Sequence, residues 1–250
     1  MNGPIFIVSD NHFSMDKNHN ESERRNKLFE VFDKIKKNKN STLIIGGDFF
    51  DYWFEYKNVI PAGYDDLIES FKDLTKNGVK VHYILGNHDY WDFGYLNRET
   101  KINIHNKDFE FNYFNQKILM THGDGLLKND YGYRVLKKII RHPIFIKVFK
   151  LFPPNLTCKL AKRISKSSSD YNHHDKYVDI IKKDMLDFSK RKWDSGFDSV
   201  LIGHYHQIGI HKNNNKKMIF LGDWLTKFTV TMINEKNYWQ GDWQNFVDLA

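Results

Sequence analysis

Five short blocks along the chain share one form: an apolar run of strand length that stops in Asp, Asn or His. Asp10-Asn11-His12 follows IFIVS, Gly46-Gly47-Asp48 follows TLII, and Gly86-Asn87-His88-Asp89 follows VHYIL. His122-Gly123-Asp124 follows KILMT, and Gly203-His204-Tyr205-His206 follows SVLI. Hydrophobic runs of this length, bounded by turn residues, read as buried strands. Polar groups at their ends would meet along one sheet edge, where residues far apart in sequence can build one site.

Residues two apart in an extended chain face the same way. On that spacing Asp10 and His12 could grip one ion, and so could His204 and His206. A carboxylate has two oxygens, so Asp48 could bridge two cations. Mixed carboxylate, imidazole and amide groups suit manganese, iron or zinc better than calcium or magnesium, which favour all-oxygen shells. Two such ions roughly 3.5–4 Å apart would polarise a phosphoryl group and bring the pKa of a shared water toward neutrality. Singly the blocks are weak: D-x-H or H-x-H can be surface histidines, and G-N-H-D a tight turn. All five, in order and each ending an apolar run, argue against coincidence.

The first half alternates strand and helix: strands at 4–9, 42–46 and 80–85, helices at 21–37 and 65–76. That alternation predicts an α/β (α+β) sheet with crossover helices. Shorter strands follow at 101–105, 109–114 and 117–121, the last two as a hairpin turning at Asn115-Gln116. Residues 128–166 read as short helices broken at Pro143 and Pro153-Pro154. A long helix capped by Ser169 or Asp170 comes next, with Tyr177, Ile181, Met185 and Phe188 on one stripe. Strands then return at 199–203, 206–211 and 217–221, followed by FTVTMIN. The expected division is a core of 1–127 and 192–250, with a helical insertion over 128–191.

Charge isolates that insertion. Residues 131–169 hold ten Lys and Arg and no Asp or Glu, while the whole chain is +7. Without those ten, 28 basic residues would face 31 acidic ones. The same segment carries many Ile, Val, Leu and Phe. A cationic, apolar surface suits an anionic membrane or lipid. A nucleic-acid partner is disfavoured, because so many aliphatic residues are out of place in a phosphate-tracking groove; a solvated basic face is the plainest alternative. One cysteine, Cys158, excludes an internal disulfide and fits a reducing compartment. The chain shows neither a signal-peptide pattern nor an apolar stretch of spanning length, so a cytoplasmic, at most peripheral, protein is expected.

In this order the blocks resemble the calcineurin-like metallophosphoesterase superfamily over positions 10 to 206. The resemblance implies a two-sheet sandwich flanked by helices and two divalent metal ions, manganese first, with iron or zinc possible. Carried over residue by residue, Asp10, His12 and His206 would hold one metal and Asn87, His122 and His204 the other, with Asp48 bridging. His88 would contact the phosphoryl group or protonate the leaving oxygen, and Asp89 would orient it.

Three further stretches narrow the resemblance. Gly47-Asp48-Phe49-Phe50-Asp51-Tyr52-Trp53, His122-Gly123-Asp124-Gly125-Leu126 with Asn129-Asp130 and Tyr133, and Leu221-Gly222-Asp223-Trp224 are similar to blocks of the UDP-2,3-diacylglucosamine pyrophosphatases of lipid A biosynthesis. In that family the insertion forms a helical cap that receives acyl chains. The implied reaction is cleavage of a UDP-linked glycolipid to UMP and 2,3-diacylglucosamine 1-phosphate, at the cytoplasmic face of a Gram-negative inner membrane. Asn87, His88, Asp130, Tyr133, Ser168, Asn172 and His204 would contact substrate. Two positions depart from the pattern: His88 stands where the block usually has Arg, and Asp175 replaces an expected basic residue. The competing expectations are a generic phosphoesterase for nucleotides, phosphodiesters or phosphoproteins, and a non-catalytic scaffold for nucleic acid or membrane. Oligomeric state is not readable from the chain.

Overall fold

Period-two alternation in the apolar runs sends their side chains to two faces, and both faces are buried. Along β1 (Ile5–Val8), Ile5 and Ile7 face one core while Phe6 and Val8 face another. The computed structural model describes residues 1, 3–38, 40–56, 59–153 and 175–249. In the first sheet β2 (Thr42–Ile45), β3 (Lys80–Ile84) and β4 (Asn103–His105) extend from β1 in parallel. On its other side lie antiparallel β10 (Thr229–Ile233) and β11 (Tyr238–Asp242). The second sheet has the order β5-β6-β7-β9-β8, from β5 (Phe109–Tyr113), β6 (Gln116–Thr121), β7 (Ser199–Ile202), β8 (Ile208–Asn213) and β9 (Lys216–Leu221). Both sheets are mixed, since β6-β7 and β7-β9 are parallel and the outer pairs antiparallel.

Ile5, Ile7, Ile44, Ile118, Met120 and Leu201 form the core between the sheets. The outer face of the first sheet packs on α1 (His19–Lys36) and α2 (Asp65–Lys76) through Phe6, Val8, Leu43, Leu28, Phe32 and Phe71. The outer face of the second packs on α6 (Asp175–Asp194) through Leu119, Val200, Phe220, Ile181 and Met185. Helix, sheet, sheet, helix is therefore the layer order. Each fully buried aliphatic or Phe side chain contributes roughly 1.5–3 kcal/mol. A one-residue slip would exchange the two cores, so register is tightly held.

The differences from expectation lie where hydrophobic periodicity is weak. Only 103–105 of the expected 101–105 strand is extended, because α3 (Tyr95–Thr100) precedes it. That short helix starts where the Asp92 carboxylate accepts the Gly94 and Leu96 amides. The hairpin turns one residue early, with Tyr113 opposite Gln116 and Phe114 left-handed at φ 48°. The strand expected at 206–211 runs 208–213, since His206 is itself left-handed. β11 and α7 (Trp243–Val247) were not anticipated: the edge strand YWQGD is half-buried and carries no clean alternation.

Of the insertion, α4 (Tyr131–Ile140) and α5 (Pro143–Phe149) are described. The break falls at Pro143 as expected, with His142 capping α5 by accepting the Ile144 amide. Ile146 and Phe149 pack on Tyr52, Phe54 and Tyr56. The long helix packs against the second sheet through Ile181, Met185, Phe188 and Trp193. Cys158, Ser168, Ser169, Asp170 and Asn172 lie outside the described residues.

Candidate metal centre

Parallel pairing brings the ends of β1, β2 and β3 together, and likewise those of β6 and β7. Beyond the strands the ladder continues into the loops: the Asp10 amide donates to Gly47 O at 3.0 Å and the His12 amide to Asp48 O at 2.8 Å. Asp10, His12, Asp48, His204 and His206 all have φ between 45° and 64°. Non-glycine residues are uncommon there, and the conformation costs on the order of 1 kcal/mol or more at each position. Asp10 and His12 converge because the chain curls after the strand, not because an extended chain alternates.

Three groups of ligand atoms each lie within 4.8 Å of one another: Asp10, His12 and His206; His12, Asp48 and His88; and Asp48, His122 and His204. His204 and His206 thus fall in different groups and do not share one ion through strand alternation. Asp48 is central. Its Oδ2 is 3.3 Å from His122 Nε2 and 3.8 Å from His12 Nε2, while its Oδ1 accepts the His88 amide at 2.8 Å. Asp10 is fully buried, with Oδ2 accepting from Ser9 Oγ at 2.6 Å and both oxygens facing the His204 amide. Asn87 Oδ1 lies 3.1 Å from His122 Nε2.

These donors fit a cation. His122 Nδ1–H donates to Gly46 O at 3.0 Å, which leaves Nε2 aimed at the oxygens of Asp48 and Asn87. Lone pairs facing lone pairs need a positive charge between them. His12 Nε2 is buried with no hydrogen-bond partner among the described residues. Burial works to raise the Asp48 carboxyl, yet the nearby histidines, His122 foremost, hold it well below the usual range. Burial works to lower His122, but Asp48 above all pushes it up to about 10. A divalent cation would take the place of that proton.

The other candidate residues divide. His88 donates Nδ1–H to the Asp51 carbonyl at 2.7 Å, and its Nε2 lies 4.0 Å from Asp48 Oδ2. Burial lowers its pKa, but Asp48 and Asp51 outweigh this and set it at about 9. Asp89 does not orient His88. Its carboxylate accepts the Phe49 and Gly86 amides, each at 2.7 Å, and the Tyr83 hydroxyl, so it pins the two loops that carry Asp48 and Asn87. Orientation of His88 falls to Asp51, which sequence reasoning passed over. Phe50, Trp53 and Trp224 are fully buried core aromatics. Asp130 stands at the N-terminus of α4 without a side-chain capping bond. The Tyr133 hydroxyl donates to Asp124 Oδ2 at 2.9 Å, and its ring centroid lies 6.3 Å from that of His204.

Asp124 itself had been given no role. Besides Tyr133 it holds Lys137 Nζ at 2.8 Å and Arg141 Nη2 at 3.2 Å, both on Oδ2. Tyr133, Lys137 and Arg141 follow i, i+4, i+8 spacing, so one helix face meets one carboxylate. That spacing was the available signal.

Gly86 makes the packing testable. A Cβ there would lie 2.1 Å from Asp48 Oδ1 and 2.6 Å from the Asp48 amide nitrogen. Gly86→Ala is expected to cost about 1–3 kcal/mol, as overpacking does, and to displace Asp48. A lowered melting temperature together with reduced metal content would show it. Unchanged values for both would mean the loop yields without moving Asp48.

A sandwich of two mixed sheets with clustered Asp, His and Asn at its strand ends defines a metallophosphoesterase, and comparison with known proteins agrees. The calcineurin-like phosphoesterase family model matches residues 3–226, and the chain belongs to that family. It is a metal-dependent hydrolase. A UDP-2,3-diacylglucosamine hydrolase of Porphyromonas gingivalis is 24% identical over 241 residues, 90% of this chain and 92% of that one. The protein of the same name in Haemophilus ducreyi is 26% identical over 195 residues, 77% of this chain and 82% of that one. A solved archaeal phosphodiesterase structure covers 95% of this chain and 98% of its own, with a TM-score of 0.49 and 17% identity.

Proposed function

We propose that this chain cleaves the pyrophosphate of UDP-2,3-diacylglucosamine to UMP and 2,3-diacylglucosamine 1-phosphate. Asp10, His12 and His206 would hold one divalent cation and Asn87, His122 and His204 a second, with Asp48 between them and manganese the first choice. When bound, such a pair supplies Lewis-acid polarisation of the phosphoryl group and activates water. The protein's part is positional. Asp89 fixes the loops, Gly46 O fixes the His122 tautomer, and Asp51 O holds His88 with Nε2 turned toward Asp48. His88 could contact the phosphoryl or leaving oxygen through that Nε2.

The observation that carries the lipid reading is the flank of this site. α4 and α5 dock beside it through Asp124 and the Trp91 indole, which donates to Ile140 O at 3.2 Å. Their other side exposes Val135, Leu136, Ile139, Ile144, Val148 and Leu151 among basic residues. A cavity of about 560 Å³ opens there, lined by Lys138, Ile139, His142, Ile144, Phe145 and Val148. Apolar walls with a cationic rim suit acyl chains below an anionic head group. The names of the relatives support the same substrate. Among the described residues no helix is long and apolar enough to cross a membrane. We place the protein peripherally, at the cytoplasmic face of a Gram-negative inner membrane.

The test is release of UMP from UDP-2,3-diacylglucosamine by Mn²⁺-loaded protein, with and without chelator. Turnover that the chelator abolishes is expected. Failure to release UMP while a soluble aryl phosphodiester is hydrolysed well would replace the lipid reading with a general phosphodiesterase.

A further inference from the structure

Lys137 and Arg141 are two cations on one carboxylate. Their side chains are 27% and 17% exposed, so both are largely withdrawn from water. Among the described residues the only ion pair of either is with Asp124. The segment from 131 to 169 holds no Asp or Glu, so their own stretch cannot balance them. The cluster keeps a net charge of +1 beside the metal-site loops. Arg141 Nη2 also donates to Gly86 O at 3.1 Å, one residue from Asn87. Lys137 Nζ donates to the Asp124 carbonyl at 2.9 Å, two residues from His122. Arg141 is further fixed over the Tyr90 ring, 4.0 Å from its centroid. A half-buried surplus cation held rigidly at the rim of an anion site is poised for an anion the metals do not neutralise.

We infer that Lys137 and Arg141 bind the second phosphoryl group of a phosphoanhydride, the one left outside the metal pair, and so select diphosphates over single phosphoesters. This rests on the proposed metal centre and adds the residues that read the second phosphate. In a pyrophosphate the two phosphoryl groups are one P–O–P link apart, so a group anchored between Asn87 and His122 has its neighbour at the rim. Asp124 would keep both side chains extended toward that point in the free protein. Tyr133, on the same oxygen, leaves Asp124 fewer free lone pairs and helps fix its orientation.

The test is binding, independent of turnover. Mn²⁺-loaded protein would be titrated calorimetrically with methylenebisphosphonate, a non-hydrolysable diphosphate, and with methylphosphonate, which offers one phosphoryl group. Arg141→Gln and Lys137→Gln should each weaken the bisphosphonate roughly 10- to 100-fold, the range for losing a charge-assisted hydrogen bond. The methylphosphonate should weaken at most about threefold, as expected for a longer-range charge effect. Arg141→Lys should recover part of the loss. Equal weakening of both probes would make the pair a mere anchor of α4 and overturn the inference, as would unchanged bisphosphonate binding. Metal content of each variant separates this from failure of the metal centre. Wild-type UMP release with unchanged bisphosphonate binding in the variants would sink this inference alone. Selective bisphosphonate loss without UMP release would sink the lipid substrate alone.

Discussion

Asp48→Asn should lower kcat by about a thousandfold or more, the scale of several kcal/mol of lost transition-state charge stabilisation. The substitution keeps shape and the Oδ1 that accepts the His88 amide, so the loop should survive. It removes the one carboxylate that belongs to two of the three ligand groups. The histidines around it then lose the charge that compensates their burial. Elemental analysis should find less than the wild-type complement of metal, with circular dichroism unchanged. Full metal content and turnover within tenfold of wild type would show that Asp48 does not join the two halves of the site.

Ile139→Glu and Val148→Glu in the α4–α5 cavity should each cut kcat/KM for the diacylated substrate roughly 30- to 100-fold. Excluding a few methylenes from an apolar wall, at about 0.8 kcal/mol each, accounts for that range. Both positions are half exposed, so folding should tolerate the charge. A soluble aryl phosphodiester, which has no chains to bury, is expected to change by less than about threefold on the same scale. Loss on both substrates alike would mean that the substitutions act through the docking of α4 and α5 on the metal-site loops. No loss on either would remove the acyl chains from this cavity.

Much of the scaffold was readable because its signal is local. TLII and SVLI are buried at every position, and such runs announce strands without knowledge of partners. Pro143 announced the break before α5. The unread parts carry no such signal. β11 is a half-buried edge, and α3 depends on Asp92 capping its first turn. Within the site, Asp89 was given the partner its neighbour suggested. Phe49 and Gly86 amides and the Tyr83 hydroxyl claim it because β2 and β3 lie side by side.

The sequence by itself determined which residues end the strands, that carboxylate, imidazole and amide groups gather there, and that one segment is cationic, apolar and free of acids. Each follows from composition and periodicity along a few residues. Tertiary structure alone decided that a left-handed curl rather than strand alternation brings Asp10 and His12 together, that Asp51 rather than Asp89 holds His88, and that Asp124 joins α4 to the site. The physical reason is the same in all three cases. Past the strand ends the backbone turns left-handed and hydrophobic periodicity stops, so which groups meet depends on the strand beside them rather than on the residue before them.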